Sequence, residues 1–81
     1  MPSKSVTVGS SVGLHARPAA IISEAADGLG STVTINGVDA SSSLMLMTLG
    51  AKHGDTVEVA GDDQADVDTV AALVERDLDA D

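Results

Sequence analysis

An 81-residue chain with thirteen acidic side chains against four basic ones carries a formal net charge of −9, a field that repels nucleic acid and anionic membranes. It contains no cysteine and no aromatic residue, so disulfides, thiolate metal sites and stacking on nucleobases are excluded. The length supports one domain, 1–81, around a thin core of Val, Leu, Ile, Met and Ala. No apolar run approaches the ~18 residues of a membrane span, and the N-terminus does not read as a signal peptide. The expectation is a soluble, cytoplasmic monomer with no membrane insertion.

The charge is unevenly placed. Lys4, Arg17 and Lys52 balance Glu24, Asp27 and Asp39, so residues 1–54 are neutral, whereas ten acids against Arg76 alone fall in residues 55–81. With two lysines and many aspartates, this composition is that expected in a salt-accumulating cell.

In chain order, Lys4 to Val8 alternates polar and apolar with β-branched residues, predicting a strand with one buried face. Gly9 to Gly13 reads as a loop. Ala16 to Asp27 predicts an amphipathic helix with Ala19, Ile22, Ser23 and Ala26 on its inner face, closed by Gly28 as a left-handed C′ residue. Ser31 to Ile35 alternates again, with Val33 and Ile35 inward. Asn36-Gly37 is a strong hairpin signal, returning the chain as a short edge strand from Val38 to Ala40.

Ser41-Ser42-Ser43 offers capping hydroxyls to a short helix, Ser43 to Leu49, closed by Gly50. Leu46 and Leu49 can share its inner face. Leu44, Met45 and Met47 then exceed what so short a helix can bury; either they pack inward or they form a partner surface, for which methionine is well suited. Lys52-His53-Gly54-Asp55 is a turn, and Thr56 to Ala60 predicts a fourth strand with Val57 and Val59 inward. Gly61-Asp62-Asp63 reads as a turn whose acids can cap a helix. The last helix is predicted over Asp66 to Asp77, with Val67, Val70, Ala71, Val74 and Leu78 on one face and Asp66 and Asp68 in the first turn.

The order βαββαβα, with one apolar face per strand, predicts an α+β fold: a four-stranded antiparallel sheet covered on one face by three helices. A ferredoxin-like split βαβ order competes for the first six elements.

Chemistry concentrates at Gly13-Leu14-His15-Ala16-Arg17-Pro18-Ala19. Pro18 belongs in a first helical turn, where its missing N–H costs nothing, which sets His15 at or next to the N-cap. Histidine is not a favoured cap, so local stability does not explain it. The amides of Ala16 and Arg17 and the positive end of the helix dipole form an anion site there, and Arg17 adds a guanidinium fork. An imidazole beside an anion site can exchange protons or accept the anion's phosphoryl group as a nucleophile. A metal site built from His15, His53 and aspartates lacks any ligand pair at i, i+3 or i, i+4 that involves a histidine.

These residues resemble the active-centre motif of HPr, the histidine-containing phosphocarrier family of the bacterial phosphoenolpyruvate-dependent sugar phosphotransferase system (PTS), and the resemblance covers nearly the whole chain. It implies an open-faced β-sandwich and no cofactor. It implies a stoichiometric carrier in which His15 accepts a phosphoryl group on Nδ1 from enzyme I and passes it to a IIA component, with Arg17 stabilising the group. Leu44, Met45, Met47 and Thr48 fall where family members contact those partners. Ser42 aligns with the serine that a dedicated kinase modifies in certain bacteria. Here Ser41 replaces the usual preceding basic residue and Ser43 sits at a commonly apolar position, while an N-cap role suffices for Ser42. Alternatives of the same or a different class are a regulatory interaction module, or a carrier serving a dihydroxyacetone-kinase or nitrogen-regulatory branch. His53 matches no functional position.

Overall fold

The computed structural model describes residues 2–11 and 13–76. Seven elements follow one another: β1 (Ser3–Thr7), α1 (Ala16–Asp27), β2 (Val33–Ile35), β3 (Val38–Asp39), α2 (Ser43–Thr48), β4 (Thr56–Gly61) and α3 (Gln64–Glu75). The strands form one sheet in the order β1-β4-β2-β3. Every pairing is antiparallel: β1 runs against β4 from Ser3↔Ala60 to Thr7↔Thr56, and β4 pairs β2 through Val33↔Gly61 and Ile35↔Val59. β4 therefore fills an interior position and β3 an edge, which decides the strand order that alternation alone left open.

Alternation sets which face is buried. Val6, Val33, Ile35, Val57 and Val59 point to the helices and are buried, whereas Ser5, Thr7, Thr56 and Glu58 face water. α1 contributes Ala19, Ile22 and Ala26 to the core, α2 contributes Leu46, and α3 contributes Val67, Val70, Ala71 and Val74. The result is the expected one-sided α+β sandwich. Its core is dominated by valine, whose side chain stabilises by roughly 1.5–3 kcal/mol when fully buried. Leu78, assigned to the inner face of α3, lies outside the described residues.

The hairpin forms at Asn36-Gly37, with both residues at positive φ (51° and 85°) as a type I′ turn requires. Asn36 also ties this turn to the central strand. Its N–H donates to the Glu58 carbonyl at 2.8 Å, and its Oδ1 accepts from the Glu58 N–H at 2.8 Å.

Several boundaries differ from the sequence expectation. Gly28 is right-handed (φ −82°), not left-handed: its N–H bonds to the carbonyls of Glu24 and Ala25, and Leu29 N–H bonds to Ala26, so α1 ends by tightening its last turn. Gly61 is the last residue of β4, paired with Val33, and not part of a turn. α3 begins two residues earlier than Asp66 because the Asp63 carboxylate accepts from the Ala65 N–H at 2.9 Å and caps it there. Asp68 accordingly lies beyond the first turn, where it accepts from Gln64 Nε2. β3 stops at Asp39, whose carboxylate accepts from both the N–H and the hydroxyl of Ser41. Among the described residues, no helix is long and apolar enough to cross a membrane.

Candidate functional site

The geometry of the histidine follows from the residues around it. Leu14 is buried and plugs the chain into the core. Its flanking residues close a three-residue turn, in which His15 N–H donates to the Gly13 carbonyl at 2.9 Å. His15 then takes the extended conformation of an N-cap (φ −99°, ψ −165°), and its carbonyl accepts the first helical bond from Ala19 at 2.8 Å. Its side chain makes no capping hydrogen bond. The imidazole is exposed and not engaged in holding the helix.

Ala16, Arg17 and Pro18 form the first turn of α1, with Ala16 and Arg17 exposed and Pro18 buried. The initial amides of an α-helix have no intrahelical carbonyl to bond. Ala16 and Arg17 hold the first two positions of α1, next to His15 in the chain and at the positive end of the helix dipole. His15, Ala16 and Arg17 are consecutive at the start of α1, and all three are exposed.

The loop leading to His15 is held from two sides. Gly13 has φ +77°, and a Cβ there would lie 2.4 Å from the Ala51 carbonyl oxygen and 2.8 Å from Lys52 Cα. Leu14 N–H donates to the same Ala51 carbonyl at 3.0 Å. On the other side Gly9 N–H donates to the Val74 carbonyl at 3.0 Å, at the end of α3. Sequence reading missed Ala51, Gly9 and Ser10 as parts of this site. The available signal was two glycines in one short loop, a pattern that marks close backbone approach.

The residues expected to dock a partner divide. Leu44 is 67% exposed and Met45 43% exposed, with Thr48 exposed beside them and its hydroxyl donating to the Met45 carbonyl at 2.7 Å. Met47 instead lies half-buried against the core, as Leu49 does. Ser42 caps α2, its Oγ accepting from the Met45 N–H at 3.3 Å. α1 packs on α2, and Ala51, whose carbonyl accepts from Leu14 N–H, lies three residues past the end of α2. The exposed apolar residues thus belong to the element beside the histidine loop.

His53 is exposed in the turn before β4. No group of three or more His, Asp or Glu side chains among the described residues is placed to hold a metal ion. A cleft of about 250 Å³ lies at the other end of α1, lined by Asp27, Ser31, Asp39 and Ser41 among others, away from His15.

Comparison with known proteins gives this geometry a family. The model of the PTS HPr component phosphorylation site matches residues 2–76. The chain is 38% identical to the phosphocarrier protein HPr of Streptomyces coelicolor over 87 aligned positions, covering 98% of this chain and 94% of that protein. Among solved structures it is similar to HPr-C-His from Thermoanaerobacter tengcongensis, with a TM-score of 0.87, 24% identity and coverage of 100% and 99% of the two chains. It is also similar to the phosphocarrier protein HPr from Bacillus anthracis, with a TM-score of 0.82, 26% identity and coverage of 89% and 94%. The one-sided sheet, the exposed histidine at the mouth of α1 and matches over nearly the full length agree, and the chain belongs to the HPr family of phosphotransferase-system phosphocarriers.

Proposed function

We propose that the protein is a stoichiometric phosphoryl carrier that takes its phosphoryl group from enzyme I of a phosphotransferase system and gives it to a IIA component. The observation that carries this reading is the exposed His15 imidazole at the N-cap of α1, free of any capping bond. In the neutral ring protonated on Nε2, the Nδ1 lone pair attacks phosphorus. The P–N bond to the donor histidine breaks and its electron pair returns to the donor ring, so no net proton is needed. The first-turn amides and Arg17 face the phosphoryl oxygens and stabilise their charge without forming a bond that must later be broken. Transfer onward to the IIA histidine is the same step in reverse.

Leu44, Met45 and Thr48, with the half-buried Met47 behind them, form the docking surface on this reading. Burial of Leu44 and Met45 supplies area without demanding one rigid partner shape. Ser42 acts as the cap of α2. The protein works in the cytoplasm as a monomer and needs no cofactor.

Incubation with phosphoenolpyruvate and the cognate enzyme I, followed by intact-mass measurement, tests the reading. An acid-labile gain of one phosphoryl group is expected, absent in His15→Ala. Arg17→Ala should slow transfer by at least about tenfold while the fold is kept. Leu44→Asp should raise the enzyme I concentration needed for half-maximal rate. No mass gain in the wild-type chain, in dilute buffer or in molar salt, refutes the proposal. A dihydroxyacetone-kinase or nitrogen branch would show itself as acceptance from that branch's donor alone.

A further inference from the structure

The loop before His15 is fastened to the end of the last helix by residues that the phosphoryl chemistry does not require. Gly9 N–H donates to the Val74 carbonyl at 3.0 Å, and Ser10 Oγ donates to the Arg76 carbonyl at 3.3 Å. Val74 lies in the last turn of α3 and Arg76 is its C-cap, so both acceptors stand at the helix end where carbonyls have no intrahelical partner. A Cβ on Gly9 would stand 1.8 Å from the Glu75 carbonyl oxygen, so the two backbones are in direct contact. Ser10 is completely buried. A hydroxyl taken out of water has a desolvation cost that an alanine would avoid, and its bond to Arg76 offsets that cost.

The same two residues continue toward the histidine. Ser10 C=O accepts from Gly13 N–H at 2.9 Å, and Gly13 C=O accepts from His15 N–H at 2.9 Å. An unbroken series of hydrogen bonds therefore runs from the α3 carboxyl end through Ser10 and Gly13 to the backbone of His15. On the far side Leu14 N–H donates to the Ala51 carbonyl and Gly13 lies against residues 51–52.

We infer that Ser10, with Gly9, is a positioning residue: it clamps the histidine loop to the last turn of α3 and sets where the imidazole stands for in-line phosphoryl transfer. The role rests on the phosphocarrier reading for its catalytic consequence, and on the Gly9 N–H and Ser10 hydroxyl bonds alone for the clamp. Neither residue touches the phosphoryl group. Their effect is on orientation, where displacements on the order of 1 Å change rates by up to about a hundredfold.

The test is Ser10→Ala, with Ser10→Thr as the variant that keeps the hydroxyl. Transfer from phosphorylated enzyme I is followed as kcat and KM separately, and amide hydrogen exchange of Gly13 and Leu14 is measured by NMR. The expected result for Ser10→Ala is a fall in kcat of about tenfold with KM unchanged, because the α2 surface is untouched, and faster exchange at Gly13 and Leu14. Ser10→Thr should recover most of the rate. Unchanged kcat, or a rise in KM alone, overturns the positioning role. In the wild-type chain Gly9, Gly13 and Leu14 amides should open with one common free energy; independent opening also overturns it, and this arm needs no variant to fold. A wild-type chain that takes no phosphoryl group refutes the proposed function, while the exchange arm still decides whether the clamp exists.

Discussion

Gly13→Ala is the substitution whose effect can be worked out most fully from the structure. An alanine at φ +77° enters the left-handed region at a cost of about 1–2 kcal/mol. Its Cβ would also meet the Ala51 carbonyl oxygen at 2.4 Å and Lys52 Cα at 2.8 Å. Both are backbone atoms, so relief requires the loop or the 51–52 segment to move. Such movement breaks the Leu14 N–H to Ala51 bond, worth about 1 kcal/mol net. The sum is about 2–3 kcal/mol, and at roughly 4–8 °C per kcal/mol for a domain of this size Tm should fall by about 8–24 °C.

Gly37→Ala supplies the control. Gly37 has φ +85°, but nothing lies within 4 Å of its hypothetical Cβ. It should therefore show only the conformational part, about 1–2 kcal/mol. Far-UV circular dichroism is the appropriate probe, since a chain without aromatic residues has no intrinsic fluorescence to follow. Equal Tm shifts for the two variants would refute the reasoning that backbone contact with residues 51–52 fixes the histidine loop.

Further expectations concern other parts of the molecule. Ser42→Ala should destabilise by about 0.5–2 kcal/mol through loss of the α2 cap, while Ser42→Asp, which can still accept from Met45 N–H, should recover most of it in a thermal melt. The hydroxyl and then the N–H of Ser41 hold the Asp39 carboxyl below its ordinary value. Because the folded value is depressed, this contribution to stability is complete above roughly pH 4, the unfolded value, and fades as pH falls through the folded one. The Ser41 amide resonance should move in that acid range and stay fixed in Asp39→Asn. The concentration of acids after residue 54 leads to a rise in Tm between about 0.1 and about 2 M KCl that continues beyond ordinary Debye screening; a flat profile would remove the salt-adaptation reading.

The elements were legible where local physics decides them. Period-2 alternation marked β4, three- and four-residue spacing marked α1, and Asn36-Gly37 marked the turn between β2 and β3. The His15 N-cap followed from Pro18, because a proline limits where a helix can begin. Relations between distant segments were not legible. Nothing in residues 3–7 announces that β4 will lie beside them. Nothing in Gly9 or Ser10 announces the end of α3, since such contacts depend on how separate elements pack. The α2 surface was intermediate: composition showed too many apolar residues for a short helix, but only packing distinguishes exposed Leu44 and Met45 from half-buried Met47.

The interior place of β4 has a consequence for the growing chain. β1 pairs with β4 alone, and β2 has only the two-residue β3 beside it until β4 arrives. A ribosome that has released the first 55 residues has released the histidine and its helix, but not the strand that joins the two halves of the sheet. Closing β1 onto β4 joins residues such as Ser3 and Ala60, a long loop whose entropy must be met before the pairing stabilises anything. Acquisition of the sheet is therefore a late, all-at-once event in synthesis, and an unfinished chain presents an unpaired β1 and an open edge of β2, each with an apolar face, to its surroundings.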